Sequence, residues 1–241
     1  MTLNSKLRLA LLLLVVFSAN LVETKIESHR RGNTPVSAAD SKAAYAMQRF
    51  EQAIGSRFLN FAFHDKSVWW AAYAYSFSYF ILFPIGGLLV VFALARRDEL
   101  APFRVFCLAV AIDYALSLPL FMLFPVPERW AYPESGAILL SDLWSSTLIT
   151  AIRPMSAINN CFPSTHTSLT VILLAVCWRF DFRFRWTATA LGLTVILSTF
   201  VLGIHWLPDI IAGVVVGLLS VDIARRFTDT SERRELARYT A

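Results

Sequence analysis

The chain has 241 residues, of which 56% are hydrophobic, 14% aromatic and only 16% charged. That composition excludes an ordinary soluble domain and places the protein among integral membrane proteins. The formal charge of +5 does not point to nucleic acid, because Arg and Lys gather at the ends of apolar runs, as they do in cytoplasmic loops.

The first apolar run is Leu7 to Val22, behind Lys6 and Arg8. Its charged start and Leu-rich centre fit either a signal peptide or a membrane anchor. A cut after Ala19 would put the large Phe17 three residues before it, so an uncleaved anchor is expected. Residues 24–66 are polar and mixed in charge. The part from Ser28 to Ser41 reads as a linker with Gly32 and Pro35. From Ala43 to Phe63, the residues Ala44, Met47, Ala53, Ile54, Phe58 and Phe61 recur at helical spacing. They predict an amphipathic helix on the membrane or on the other spans, with no role in chemistry.

About 20 apolar residues cross a bilayer. Val68 to Ala95 is long enough to tilt, with Trp69, Trp70 and Tyr73 as interfacial anchors and Arg96 and Arg97 as the stop. Phe103 to Phe124, Thr167 to Phe180, Trp186 to Trp206 and Ile210 to Ala224 follow, which makes six spans. Four basic groups then fall on one side: Lys6 with Arg8; Arg96, Arg97 and Arg104; Arg179, Arg183 and Arg185; Arg225 and Arg226. That side is expected to be cytoplasmic. The loop from Pro125 to Pro163 and the turn from His205 to Asp209 share the opposite face. Cys107, Cys161 and Cys177 are scattered, with neither a disulfide framework nor zinc spacing. Cys161 reads as a small filler.

Ionisable groups at membrane edges are costly, and there they point to function. His205 and Asp209 stand at i and i+4 around Pro208, so the pair straddles the end of one span and the start of the next. A carboxylate on one imidazole nitrogen fixes the tautomer and raises the basicity of the other, which suits a nucleophile. The other reading of the pair is a capping Asp beside an interfacial His. His166 follows Pro163-Ser164-Thr165 at a helix start, where free N–H groups bind phosphate oxygens. A histidine there can protonate a leaving alkoxide, then deprotonate an incoming hydroxyl. Arg153-Pro154 offers a planar fork to phosphate oxygens. Asp113, in mid-span, either faces a substrate hydroxyl or makes a buried structural hydrogen bond. Asp222 can pair with Arg225 and Arg226.

In order and spacing, Arg153-Pro154, Pro163-Ser164-Thr165-His166 and Ser198-Thr199-x5-His205-x3-Asp209 resemble the three-part motif of the type 2 phosphatidic acid phosphatase superfamily. The resemblance covers roughly Val68 to Ala224. It departs at Ser146 and Thr199, where the family keeps Lys and Arg, and at Thr165, where it keeps Gly. Ser198-Thr199, Phe162-Pro163-Ser164-Thr165-His166 and the Ala212-Gly213 after Asp209 are more similar to the inositol phosphorylceramide synthase branch.

The resemblance implies an all-α six-helix membrane bundle and metal-free, cofactor-free phosphoryl transfer on a membrane phospholipid. His205 would be the nucleophile that becomes a phosphohistidine, Asp209 its orienter, and His166 the acid and base. Arg153, Ser164 and Thr165 would bind phosphate. Losing two motif cations weakens binding of a dianionic monoester more than of a monoanionic diester. Transfer of an inositolphosphoryl-type headgroup to a lipid hydroxyl, such as ceramide or diacylglycerol, is therefore expected ahead of a phosphatase acting on lipid phosphate monoesters. A non-catalytic lipid-binding protein of the same fold is the other class. Arg129, in the loop, is a candidate for the missing charge. The organisation expected is an anchor or signal (1–23), an extracytoplasmic segment (24–66), a membrane-embedded catalytic domain (67–226) and a cytoplasmic tail (227–241). The active site is expected on the extracytoplasmic face of an inner or plasma membrane.

Overall fold

In a computed structural model, the structure describes residues 2–31, 34–35, 41–56, 58–63, 65–143, 147 and 156–239. Among them it is all-helical, with one isolated bridge between Val126 and Asn160 and no strand. The helices are α1 (Thr2–Arg31), α2 (Lys42–Ile54), α3 (Phe58–Phe61), α4 (Trp69–Phe77), α5 (Phe83–Ala95), α6 (Ala101–Leu123), α7 (Thr165–Arg179), α8 (Arg185–Val201) and α9 (Leu207–Tyr239). A five-residue π-helical segment, Ser78–Leu82, joins α4 to α5 into one continuous rod.

Among the described residues, four helical stretches are long and apolar enough to cross a membrane: Asn4–Arg30, Trp69–Ala95, Ala101–Leu123 and Leu207–Thr230. The other two of the six expected spans are shorter helices. Helix α7 has 15 residues and α8 has 17. At about 1.5 Å per residue they fall short of a hydrocarbon core of about 30 Å. The apolar run to Trp206 is broken because α8 stops at Val201 and Gly203 turns the chain at φ +77°.

Helix α9 runs along α6 and α7, and α1 packs on α6. Phe103, Val110, Tyr114, Ile172, Val176 and Ala224 belong to the core between these helices. Two glycines set the closest approach. A Cβ at Gly213 would lie 2.5 Å from the Ser164 carbonyl oxygen, and one at Gly217 would lie 2.7 Å from that of Ser168. This small-xxx-small spacing lets α9 touch the backbone of α7. Asp113 is fully buried and accepts a hydrogen bond from Ser168 Oγ at 3.0 Å, tying α6 to α7. Of its two readings, the structural bond is the one observed. Asp222 pairs with Arg225 and Arg226 at 2.8 and 2.7 Å.

The segments before α4 meet both ends of the bundle, α1 at the C-terminal end of α5 and α2 at the start of α9. Lys6 Nζ donates to the carbonyls of Ala95 and Arg97 at 3.0 and 2.6 Å, so α1 closes the C-terminal end of α5. Ser41 caps α2 by accepting from the Ala44 N–H, and Gly55 ends it at φ +68°. The inner face of α2 is Ala44, Met47, Gln48 and Glu51, not the purely apolar stripe expected, and Ile54 is exposed. Two polar residues face inward because each meets a partner. Gln48 donates to the Glu134 carbonyl, and Glu51 accepts from the Leu207 N–H at 2.8 Å.

Candidate active site

The loop after α6 returns across the end of the bundle where α9 starts. Val126 and Glu128 donate to the carbonyls of Asn159 and Ile158, both at 2.8 Å, and the Cys161 N–H donates to Val126 at 3.1 Å. Arg129 and Trp130 donate to Ile204 and Gly203 at 3.0 and 2.8 Å. The residues before α7 are thus stitched to the turn before α9. The Ser164 N–H donates to the Asp209 carbonyl at 3.1 Å, and the His205 N–H to that of Thr199 at 2.9 Å. Two motifs that lie far apart in sequence meet through the backbone.

Their side chains open into a pocket whose lining includes Tyr79, Glu128, Asn160, Cys161, Thr165, His166 and His205. The ring centres of His166 and His205 stand 5.9 Å apart, close enough for one phosphoryl group to touch both. His205 sits in the turn, and Asp209 in the first turn of α9. Asp209 Oδ2 lies 3.5 Å from His205 Nδ1 and accepts from the Trp206 N–H at 2.9 Å. Cys161 Sγ lies 3.1 Å from the same Nδ1 and donates to the Ile204 carbonyl at 3.3 Å. Its S–H is therefore spent, and a carboxylate only accepts. With the S–H given to that carbonyl and Asp209 ionised, Nδ1 carries the proton and Nε2 keeps its lone pair.

His166 lies between aromatic rings. Tyr79 stacks on it at 4.3 Å, and Phe83 tilts against it at 4.8 Å. The Tyr79 hydroxyl is 3.3 Å from Nδ1 of His166. If the hydroxyl donates, the proton of the neutral ring sits on Nε2. Tyr79 reaches this position from the π-helical segment, a distortion common at functional sites.

Thr165 lines the pocket. Ser164 is fully buried, and its hydroxyl caps α7 by accepting from the Thr167 N–H at 3.3 Å. It therefore shapes the helix start, where the N–H groups of Thr165 and His166 lack intrahelical partners. Arg153 and Ser146 lie outside the described residues. Thr199 is fully buried and donates back to the Ile196 carbonyl at 2.7 Å, so no cation stands there. Arg129 does not supply the missing charge. It is fully buried against Glu51 of α2, with Nε 3.0 Å from Oε2, and its guanidinium lies over the Phe200 ring. Among the described residues, the pocket lining contributes one carboxylate, Glu128, and no Lys or Arg.

Burial, with the Asp209 carboxylate adding to it, holds the Cys161 thiol well above its ordinary value. A protonated, fully buried thiol makes a poor nucleophile. Tyr79, Glu128 and Asn160 escape sequence reasoning. A tyrosine in an apolar run reads as packing, and neither Glu128 nor Asn160 stands at a telling distance from a motif. Asn160 donates to Glu23 of α1 at 2.6 Å, and its neighbour Asn159 donates to Glu27 at 2.7 Å. One wall of the pocket is thereby held by a helix that carries no motif.

A helical membrane protein with two histidines and a buried aspartate at one end of its bundle defines a class, and comparison with known proteins places the chain within it. The family model of the PAP2 superfamily matches residues 102–233, and the chain belongs to that superfamily. Its members are phosphatases and phosphotransferases, and the chain is an enzyme of that general kind. No curated protein and no solved structure matches the chain.

Proposed function

We propose that this protein moves a phospho-headgroup from a membrane phospholipid to a lipid hydroxyl, through a phosphohistidine on His205 and without a metal ion. One observation carries the reading. Asp209 and Cys161 both face Nδ1 of His205, which leaves the Nε2 lone pair for phosphorus, with His166 across the pocket. In the first half, Nε2 of His205 bonds to phosphorus as the bond to the lipid oxygen breaks. His166, as the imidazolium, gives its Nε2 proton to that oxygen and becomes the neutral ring, and a diacylglycerol leaves. In the second half, His166 takes the proton of an acceptor hydroxyl, whose oxygen displaces His205 from phosphorus. Asp209 holds the Nδ1 proton throughout and balances the charge on the ring. Arg153, Thr165 and the N–H groups at the start of α7 stabilise the equatorial oxygens, the main task in phosphoryl transfer.

A diester is favoured over a monoester by charge. Thr199 stands where the family keeps a cation, and Glu128 adds a carboxylate to the pocket lining. Ceramide and diacylglycerol are the proposed acceptors, and inositol phosphate the proposed headgroup. The basic clusters support a site on the extracytoplasmic face and a C-terminus in the cytoplasm.

The test supplies purified protein with headgroup-labelled phosphatidylinositol, with and without ceramide or diacylglycerol. Label is expected on the acceptor lipid, and a phosphorylated protein is expected on acid-labile trapping. His205→Ala and His166→Ala should each abolish transfer while the protein stays folded. Full activity in either variant would refute the mechanism. Release of inorganic phosphate from phosphatidic acid, with no headgroup transfer, would make the enzyme a phosphatase instead.

A further inference from the structure

Cys161 has no part in the reaction as derived, yet its sulfur stands beside the nucleophile. Sγ is 3.1 Å from Nδ1 of His205, and that Nδ1 is 3.5 Å from Oδ2 of Asp209. One potential ligand atom from each residue lies within 4.8 Å of the other two. All three side chains are buried, and Oδ1 of Asp209 meets no N–H or O–H donor. Bonds of about 2.0–2.3 Å place the ligands of a tetrahedral zinc ion roughly 3.3–3.6 Å apart. The two separations that include Nδ1 lie within a few tenths of an ångström of that geometry. A thiolate and a carboxylate together cancel a divalent charge, so the loaded site would be neutral, as burial requires. Cys161 and His205 both line the pocket, which gives the ion a way in and a water its fourth position.

We propose that Cys161, His205 and Asp209 form an inhibitory site for a thiophilic divalent cation such as Zn²⁺. On binding, the Cys161 S–H bond breaks, a sulfur–metal bond forms, and that proton leaves with water through the pocket. The metal takes the Nδ1 lone pair of His205, so the ring proton moves from Nδ1 to Nε2. The nitrogen that faces phosphorus then carries a proton and cannot attack. Asp209 is drawn from the imidazole to the metal in the same step. Only the inhibition rests on His205 being the nucleophile, since binding needs the ligand set alone.

Cobalt titration of the purified full chain in detergent reads binding without any turnover. A one-to-one thiolate-to-cobalt charge-transfer band is expected, and Zn²⁺ should bleach it. Losing a ligand should cost at least as much as losing an outer-shell partner, so Cys161→Ser should weaken zinc binding by about 10–100-fold or more. Asp209→Asn should weaken it as well. A Cys107→Ala/Cys177→Ala protein should keep the band. Zinc should suppress headgroup transfer and a chelator should restore it. The inhibition constant should rise in Cys161→Ser by the factor seen in binding, each protein being normalised to its own zinc-free rate. Absence of the band, or its persistence in Cys161→Ser, overturns the site. A band without inhibition of an active enzyme overturns the inhibitory role. If no transfer is found with any lipid, the cobalt band still decides the site.

Discussion

In the proposed reaction Tyr79 sets which nitrogen of His166 meets the departing oxygen. Its hydroxyl is 3.3 Å from Nδ1, and by accepting the Nδ1 proton it would keep Nε2 as the nitrogen that gives and takes a proton. Tyr79→Phe preserves the stack on the imidazole and removes that bond. A net hydrogen bond of about 1–1.5 kcal/mol corresponds to roughly tenfold in rate. The expected outcome is a fall of about that size in kcat with KM little changed, measured by steady-state headgroup transfer. Loss in KM alone would mean that Tyr79 serves binding. Glu128 acts on charge rather than geometry. Glu128→Gln removes a carboxylate from the pocket lining and should favour the more highly charged substrate. The ratio of monoester hydrolysis to diester transfer, measured on paired lipids, should rise about tenfold. His166, His205 and Asp209 are legible in the sequence because ionisable groups at membrane edges are costly. Tyr79 is not, because an aromatic ring inside an apolar run is cheap, and its hydroxyl gives no signal until His166 is seen beside it.

At the scale of the element, the contact between α7 and α9 decides how well the two motifs register. Gly213 lies over the Ser164 carbonyl, one residue before the helix that carries His166. Gly213→Ala forces a methyl to within 2.5 Å of that carbonyl, and backbone cannot swing away as a side-chain tip can. Overpacking of this kind costs about 1–3 kcal/mol. At roughly 2–4 °C per kcal/mol for a chain of this size, Tm in detergent should fall by several degrees. Gly86→Ala is the control: no atom lies within 4 Å of its added Cβ, and alanine suits a helix better. Its Tm should hold or rise. An equal fall in both variants would mean that the contact does not set the packing. The apolar runs locate the helices well, because burial in lipid leaves a clear compositional trace. They do not locate the C-terminal end of α8, where one glycine in a left-handed turn follows the helix inside a still apolar run.

At the scale of the molecule, the site is completed by segments that carry no motif and lie before the family match at residue 102. Glu51 of α2 is the clearest case. It accepts from the Leu207 N–H, at the head of the helix that holds Asp209, and pairs with Arg129, whose own N–H holds Ile204. The amphipathic pattern from Ala43 to Phe63 does reveal a helix. It does not reveal this role, because a glutamate on a helix ordinarily faces water, and the partner that draws it inward is 78 residues away. Both side chains are buried, at 0% and 1% exposure, so removing one leaves the other buried and charged with this ion pair broken. Breaking such a pair from one side costs about 3–5 kcal/mol, whereas replacing both partners with apolar groups of similar volume is often neutral. Glu51→Met alone and Arg129→Met alone should therefore each lower stability strongly, while the double variant should recover most of the loss. Equilibrium unfolding of the four proteins in one detergent gives the coupling energy. Activity adds what stability cannot. The double variant restores the charge balance but not the acceptor for the Leu207 N–H, so it should fold well and still turn over slowly. Full activity in the double variant would reduce α2 to a structural cap, whereas a folded protein with a depressed kcat would make Glu51 a positioning residue for the turn from His205 to Asp209.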